Sequence, residues 1–399
     1  MFLRAKLSER IKNYVYFCRM FFLKRFYWLA ACCMVFLMSC NRTQNSATES
    51  GAKPDSVLKP KYATGFVIEY YRNYKTVIVF NPWKKGSVQA KYYILNRKGI
   101  RTPDESKTVV APLRSIAATS ATHYAYLAAL NELSSVTGIS SPQLVYNPEL
   151  IRRCKTGQTI DLGDAFSLNV EKTLALHPQV LMMSSYNQAD VAAERIARSG
   201  IPVVFNNEWM ETSPLGRAEW IKFVAAFYNK ERAAETIFNR VEYGYLNMKA
   251  LARKAKDRPD IMVGSNFKGT WYVPSGKGFM GNLLADANVR YCFAADTTTG
   301  SIPVNFEQAL QHFVDAGIWL NCAAKSLKGL LQNDVRYGLF RAYKQKQVYT
   351  LDNRINASGG NDFWEGGVLH PDVILADFIR IVHPELLPGY RLFYMTKLE

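Results

Sequence analysis

A long helical stretch in the middle of the chain constrains the fold more than any other feature. Residues 215–256 contain no proline and keep a helical pattern over roughly 40 residues, which corresponds to about 60 Å of helix. That length exceeds the width of one domain. The segments on both sides alternate between short strands and helices, a pattern typical of parallel sheets covered by helices. The sequence therefore predicts two α/β lobes with a helix between them.

The alternation is visible on both sides of the long helix. With 399 residues, 48% of them hydrophobic, the chain is also too long for one typical domain. Predicted strands lie at 115–118, 180–184, 201–205, 261–265, 318–321 and 347–351. Predicted helices lie at 124–133, 170–176, 189–199, 281–287, 306–315 and 373–382.

Residues 62–100 follow a different pattern. Three runs rich in β-branched and aromatic residues, 66–71, 76–80 and 91–95, are typical of strands. Turn sequences separate the second run from the third, at 81–83 and 84–86. This region is predicted to form a small antiparallel β appendage ahead of the first lobe.

The first 40 residues have the layout of a secretory signal. Lys24 and Arg25 precede an apolar run of about a dozen residues, which is too short to span a bilayer. The run ends in Leu-Met-Ser-Cys40, which resembles the bacterial lipobox, so Cys40 is the predicted lipidation site. The chain is then expected at the periplasmic or outer face of a bacterial membrane, on a polar, flexible tether at 40–61. A membrane-anchor helix is the alternative, and Met20 is an alternative start.

Charge and cysteine content narrow the function classes. The formal net charge of +17 is interpreted as a solvated basic surface, with acidic ligands or anionic lipids as the alternative. No nucleic-acid motif is present, so no nucleic-acid partner is predicted. Three cysteines follow Cys40 without zinc-like spacing and are interpreted as buried hydrophobes, with one disulfide as the alternative: Cys154, Cys292 and Cys322.

Enzyme motifs are also missing from the sequence. There is no G-x-S-x-G elbow, no H-E-x-x-H and no Walker loop. The five histidines do not cluster, whereas capture of a bare metal needs three or four converging ligands. A binding protein without cofactor or metal is the favoured interpretation. An extracellular hydrolase and an interaction lipoprotein are the alternatives.

Several stretches together resemble the class III periplasmic binding proteins, which serve ABC importers of iron–siderophore, haem and cobalamin complexes. The resemblance extends from about Pro112 to Pro388, and four segments contain it: 111–123, 170–181, 200–205 and 305–321. It implies a non-enzymatic, monomeric substrate-binding lipoprotein. Such a protein captures a metal chelate or tetrapyrrole, here a ferric siderophore or haem, and delivers it to a permease dimer in the membrane. Cobalamin is the alternative ligand.

The resemblance also implies the architecture. Two Rossmann-like α/β lobes are joined by a long backbone helix that resists wide closure, and the antiparallel β appendage is an addition to this plan. The predicted divisions are a signal peptide at 1–39, a tether at 40–61, the appendage at 62–108, the first lobe at 109–214, the connecting helix at 215–257 and the second lobe at 258–399.

Ligands of open α/β sheets bind at loops that follow the carboxyl ends of strands. Large aromatic rings in several such loops suit a broad, partly apolar ligand. The candidate ligand-binding residues are Thr122, His123, Tyr186, Trp209, Trp271, Tyr272, Phe363 and Trp364. His123 is interpreted as a capping or hydrogen-bonded residue, with direct metal contact as the alternative. Lys268 and Arg354 are candidates to pair with an acidic ligand.

Two glutamates open helices at matching places in the predicted lobes, Glu171 and Glu307. The resemblance implies that one glutamate in each lobe docks onto arginines of the permease, and these two residues occupy those positions. Carboxylates on separate lobes would fix the orientation and the association rate of the complex. The alternative is that both only favour the helix dipole.

Overall fold

The computed structural model describes residues 53–186 and 188–399. The predicted signal peptide 1–39, the predicted lipidation site Cys40 and most of the predicted tether lie outside the described residues. Within the described ranges, no helix is both long and apolar enough to cross a membrane.

The N-terminal β appendage is a five-stranded sheet with its strands in sequence order. The strands are β1 (Ser56–Leu58), β2 (Phe66–Tyr70), β3 (Tyr74–Phe80), β4 (Val88–Leu95) and β5 (Thr108–Val110). The first four are antiparallel, and β2, β3 and β4 among them correspond to the three predicted runs, whereas β5 runs parallel to β4. Strand β1 pairs with β2 and therefore belongs to the sheet. The predicted tether at 40–61 wrongly included this strand and the loop at 59–61 that follows it.

The first lobe contains a parallel sheet in the order β12-β11-β6-β7-β8, which confirms the predicted alternation. Its strands and a small hairpin (β9 and β10) are β6 (Ile116–Ala118), β7 (Val136–Ile139), β8 (Ile160–Asp161), β9 (Gly163–Asp164), β10 (Ser167–Leu168), β11 (Val180–Met183) and β12 (Val203–Phe205). Its helices are α1 (Ala121–Ala129), α2 (Pro148–Lys155), α3 (Val170–Leu176) and α4 (Val191–Arg198). All residues of β6 and β11 are buried, as expected for central strands of a sheet covered on both faces.

The connecting segment is not one uninterrupted helix. It consists of α5 (Pro214–Glu219), α6 (Ile221–Ala226) and α7 (Glu231–Ala252). The long backbone helix is therefore α7, which has 22 residues and a length of about 33 Å. The chain leaves the helical path at Asn229, whose φ of 55° lies in the left-handed region that asparagine tolerates better than most residues.

The second lobe is built differently from the first. Its strands are β13 (Ile261–Val263), β14 (Asn266–Phe267), β15 (Thr270–Pro274), β16 (Ser301–Val304), β17 (Ile318–Leu320), β18 (Tyr349–Thr350) and β19 (Thr396–Lys397). Strands β13 and β17 form a parallel pair, which parallel bridges from Asp260 to Arg290 and from Trp319 to Val348 extend on both sides. Strands β14, β15 and β16 form a separate antiparallel sheet. The helices are α8 (Phe279–Asp286), α9 (Phe306–Phe313), α10 (Leu327–Asn333), α11 (Arg341–Lys344) and α12 (Pro371–Val382).

Short 3-10 helices complete the loops of both lobes. They span Glu105–Lys107, Leu133–Ser135, Pro142–Leu144, Glu208–Met210, Val335–Leu339, Gly366–Leu369 and Pro384–Leu386.

Aromatic residues pack in the core between the N-terminal sheet and the connecting helices. The ring of Trp220 lies 4.9 Å from that of Phe66 of the N-terminal sheet, so this sheet shares a core with the connecting helices.

The two lobes meet in a seam formed by the loop before Gly366–Leu369. Glu365 is 3% exposed and accepts hydrogen bonds from the backbone N–H groups of Tyr146 at 2.7 Å and Asn147 at 3.0 Å. The side-chain amide of Asn356 donates to the carbonyl of Val145 at 2.8 Å. Burial raises the pKa of Glu365 from 4.5 to about 7, although the two N–H donors oppose this rise.

Candidate functional site

A cleft of about 760 Å³ opens where the two lobes and the N-terminal sheet meet. Its volume lies within the range of about 300–1,000 Å³ that is usual for small-molecule sites. Six aromatic residues from the three parts of the molecule lie in its wall: Trp83 of the N-terminal sheet, Trp209 of the first lobe, and Phe267, Tyr272, Phe279 and Trp364 of the second lobe.

The first lobe presents its rings on loops. Trp209 lies in the turn Glu208–Met210, after the carboxyl end of β12, and is 38% exposed. Its ring is 5.6 Å from that of Tyr186, which follows β11. Tyr186 is in turn 5.3 Å from Phe166, in the turn between β9 and β10. Trp209 lines the cleft, and Tyr186 lines a separate pocket of about 190 Å³ over the ends of β6 and β7.

The second lobe presents one of its rings, that of Tyr272, on a strand. In β15 burial alternates, so that Tyr272 is 46% exposed in the cleft whereas Trp271 is fully buried. The indole N–H of Trp271 donates to the carbonyl of Val263 at 3.1 Å, and its ring stacks on Trp319 at 5.5 Å. Trp271 therefore does not line the cleft, which corrects its predicted role. Adjacent residues of a strand point to opposite faces, so only one of the two can reach the ligand.

A second adjacent pair separates in the same way. Trp364 is 55% exposed and lines the cleft, whereas Phe363 is 4% exposed. The ring of Phe363 packs nearly perpendicular to that of Tyr394, with 6.0 Å between centroids. Phe363 was predicted to contact the ligand, but it is a core residue.

The lining of the cleft carries little charge. Among the described residues that line it there is no lysine, arginine or histidine, and Glu211 is the one carboxylate. Glu211 accepts the backbone N–H groups of Thr64 and Gly65, both at 2.8 Å, and the indole N–H of Trp220 at 3.0 Å. These bonds engage the carboxylate with the protein itself. The cleft therefore offers aromatic faces and neutral polar groups to a ligand.

Comparison with known proteins identifies the family. A model of the periplasmic binding protein family matches residues 116–355, which is more than half of the chain. The chain belongs to this family. The structure has the two-lobed α/β form of the class III members, and proteins of this family and fold are solute-binding proteins of ABC importers.

Relatives of this periplasmic binding protein include lipoproteins. An uncharacterized lipoprotein of Methanocaldococcus jannaschii is 27% identical over 363 residues, covering 84% of each chain. A second lipoprotein of the same organism is 24% identical, covering 64% of this chain and 65% of its own. Residues 116–399 make up less than 84% of the chain, so the alignment with the first lipoprotein must also include part of the N-terminal sheet.

Solved structures share the fold of this periplasmic binding protein. A periplasmic heme binding protein from Pseudomonas aeruginosa has a TM-score of 0.55 and 16% identity, covering 72% of this chain and 98% of its own. A triscatecholate siderophore binding protein from Bacillus subtilis, complexed with ferri-bacillibactin, has a TM-score of 0.54 and 16% identity. That match covers 69% of this chain and 94% of the other.

Two residues in the first turn of α1 are buried, although the neighbouring Ala121 lines the pocket of about 190 Å³. Thr122 is 7% exposed and His123 is 0% exposed, which corrects both predicted ligand contacts. Burial lowers the pKa of His123 to about 3, so the ring is neutral. Its Nε2 atom lies 3.9 Å from the buried carboxylate of Glu208. Thr122 and His123 lie on the side of α1 that packs into the core. The sequence of the loop alone did not indicate which residues of this turn would be buried.

The remaining polar candidates lie outside the lining of the cleft. Arg354 forms an ion pair with Asp362 at 2.6 Å and lies 4.3 Å from the ring of Phe393, so its charge is already paired. Lys268 is exposed and lies 5.2 Å from the ring of Phe267. Among residues 53–186 and 188–399, no group of three or more His, Cys, Asp or Glu side chains converges as a metal site.

The three body cysteines are free thiols of different exposure. Cys322 is buried as predicted, Cys154 is partly buried and Cys292 is exposed. The interpretation of all three as buried hydrophobes is therefore corrected for Cys292, and the alternative of a disulfide between two of them is not realised in these positions.

Sequence reasoning missed three aromatic residues of the cleft, Trp83, Phe267 and Phe279. The sequence analysis places Trp83 only in a turn, in a region outside the family resemblance. Its position near Trp209 depends on tertiary contacts, which the local sequence does not indicate. Phe267 precedes Lys268 and Gly269, both with positive φ, in the tight turn between β14 and β15. A hairpin signal at this place was the one available indication.

The two glutamates occupy equivalent local positions. Glu171 follows the N-cap Asn169 of α3, and Glu307 follows the N-cap Asn305 of α9. Their side chains are 77% and 76% exposed, and each lies near one exposed arginine: Arg195 at 3.4 Å and Arg336 at 3.5 Å. In both cases an asparagine cap fixes the first turn, so the carboxylate projects from a defined backbone position.

Proposed function

We propose that this chain is the solute-binding lipoprotein of an ABC importer that captures an iron complex and delivers it to a membrane permease. The observation that carries the proposal is the aromatic-lined cleft between two lobes of the periplasmic binding protein fold, in whose described lining Glu211 is the one charged residue. The lobes are joined by α7 and by the buried seam at Glu365, so the site is largely preformed. A preformed site binds with a low cost of ordering.

Among iron complexes, haem suits the cleft better than an anionic ferric siderophore. A buried anion requires paired cations or hydrogen-bond donors, and the described lining has no lysine or arginine. A conjugated macrocycle instead gains from the indole and phenol rings, and its carboxylates can stay in solvent at the open side. Cobalamin is the second candidate, because tryptophans from both lobes also suit a corrin macrocycle.

The ligand assignment is tested by calorimetric titration of residues 53–399 with haemin, a panel of ferric siderophores and cyanocobalamin. Saturable binding of haemin at micromolar or lower concentration, with weaker or no binding of the siderophores, supports the proposal. Tight binding of a ferric siderophore alone contradicts the haem assignment and leaves the importer role in place. Turnover of ester or glycoside substrates by the folded protein would favour the hydrolase alternative.

We also propose that Cys40 carries the lipid that holds the protein at the membrane. The lipoprotein relatives in Methanocaldococcus jannaschii and the Leu-Met-Ser-Cys40 sequence support this assignment. Expression of the full chain with a labelled fatty acid tests it. Label is expected in the wild type and absent in Cys40→Ser, while Cys292→Ser is the matched control that retains the label.

The docking role of Glu171 and Glu307 is proposed on their shared geometry. Both project from the first turn of a helix, one in each lobe, with three quarters of the side chain exposed. The double variant E171K/E307K is expected to abolish uptake in cells that express the permease, with ligand affinity within twofold of the wild type. Lost affinity together with normal uptake per bound ligand would exclude docking.

A further inference from the structure

The N-terminal sheet is held against the connecting helices by two buried carboxylates. Glu219, which is 0% exposed, accepts the backbone N–H groups of Lys61, Tyr62 and Ala63 at 3.0, 2.7 and 3.0 Å. Glu211, 5% exposed, holds the next two backbone N–H groups as described above. Five consecutive backbone donors are thus fixed by α5 and the turn before it. The sheet is therefore a built-in part of the body.

Strand β4 lies beside the part of the first lobe that carries Trp209. The backbone N–H of Phe205, in the edge strand β12, donates to the hydroxyl of Tyr92 at 3.0 Å. The side-chain amide of Asn207 donates to the Oε1 atom of Gln89 at 2.8 Å. Tyr92 is 1% exposed, so this contact is shielded from water. These bonds fix the β3–β4 hairpin next to the turn Glu208–Met210.

The turn between β3 and β4 is ordered by its own hydrogen bonds. The Oδ1 atom of Asn81 accepts the backbone N–H groups of Trp83 and Lys84, both at 2.9 Å. The backbone N–H of Asn81 donates to the carbonyl of Ser87 at 2.9 Å, which closes the turn. Within this closed turn the half-buried indole of Trp83 lines the same cleft as Trp209 and Trp364.

We infer that Trp83 is a ligand-contacting, specificity-determining residue, and that the N-terminal sheet is a third wall of the binding site. The inference rests on the proposed function of the cleft. It assigns to the sheet a role in recognising the conjugated face of the ligand, because an indole on a closed turn contributes contact area at a low cost of ordering the backbone. The sheet lies outside residues 116–355, so this contact is an addition to the part of the chain that matches the family.

The test compares Trp83→Ala and Trp83→Phe with Tyr243→Ala, a matched control on α7 whose ring is 72% exposed and does not line the cleft. Affinity for haemin is measured by calorimetry in the full body 53–399, and thermal unfolding confirms that each variant is folded. Trp83→Ala is expected to weaken binding roughly tenfold, in line with one lost aromatic contact. Trp83→Phe, which keeps a ring, should lose about threefold or less, and Tyr243→Ala should bind as the wild type does.

The outcomes separate this inference from the function on which it rests. Equal affinities of Trp83→Ala, Tyr243→Ala and the wild type would overturn the third wall and leave the importer function intact. If Trp83→Ala does not fold, an unchanged affinity of Trp83→Gln overturns the inference, and a roughly tenfold loss supports it. If the wild type binds neither haemin, nor a ferric siderophore, nor cyanocobalamin, the proposed function fails and the inference falls with it.

Discussion

The two lobes present aromatic rings to the cleft in different ways. In the first lobe Trp209 lies in a loop after the parallel strand β12 and lines the cleft, and Tyr186, in the loop after β11, lines the neighbouring pocket. In the second lobe Tyr272 lies within the antiparallel strand β15, where every second residue is buried. Within β15 the alternation of the strand therefore assigns one neighbour to the cleft and the other to the core, whereas no such alternation fixes the position of a loop residue such as Trp209. Trp271 and Tyr272 show this division most clearly.

The largest expected effect distinguishes these two neighbours. Trp271→Ala should lower the free energy of unfolding by about 3–5 kcal/mol, because it removes a fully buried ring that packs on Trp319. Tyr272→Ala, at a half-exposed position on the same strand, should lower it by less than about 1 kcal/mol. Urea unfolding of residues 53–399 measures both. Equal destabilisation by the two substitutions would contradict the assignment of faces in β15.

The seam between the lobes should respond to pH through Glu365. Its folded-state pKa of about 7 exceeds its ordinary value of 4.5, so the folded state binds more protons between these values. The contribution of this group to stability is therefore fully present below pH 4.5 and is lost as the pH rises towards 7, by roughly 2–3 kcal/mol. Unfolding experiments from pH 4.5 to pH 8 should show this loss in the wild type and a smaller one in Glu365→Gln. Parallel profiles for both proteins would exclude Glu365 as the source.

Trp209, in a loop, and Tyr272, in a strand, should contribute by similar amounts to the affinity for the ligand. Trp209→Ala and Tyr272→Ala are each expected to weaken ligand binding about five- to tenfold, since each removes one aromatic face from the cleft. Tyr243→Ala, on the exposed side of α7, is the control. Titration calorimetry with the ligand found for the wild type gives the three affinities. An effect confined to one lobe would mean that the ligand uses a single wall.

The smallest expected effect is on the two exposed glutamates. Glu171→Gln and Glu307→Gln should each change the free energy of unfolding by less than about 0.5 kcal/mol, because their ion pairs with Arg195 and Arg336 are exposed and loose. Thermal unfolding of the single variants checks this value. A loss above 1 kcal/mol in one lobe only would show that this glutamate has a structural role that the other lacks.

The predictions from sequence succeeded where periodicity and strand-end rules apply. The parallel sheet of the first lobe and the exposed position of Trp209 after β12 follow from these rules. They failed where a distant contact decides. The side chain of Asn229, where the connecting helix is interrupted, accepts a hydrogen bond from Lys75, which lies 154 residues away in sequence. The phase of β15 depends on packing against Trp319, and the position of Trp83 depends on bonds between β4 and the first lobe.

The interruption at Asn229 has a mechanical consequence. Helix α6 packs on the N-terminal sheet, on α1 of the first lobe and on α7, and α7 packs on α12 of the second lobe. The gap between α6 and α7 therefore lies at the junction of the three parts of the body. The ammonium group of Lys75, 6% exposed, crosses this gap: it donates to the carbonyl of Ala226 at 2.8 Å and to Asn229 at 2.7 Å, and pairs with Glu231. One lysine of the N-terminal sheet thus holds together the end of α6, the turn at Asn229 and the start of α7.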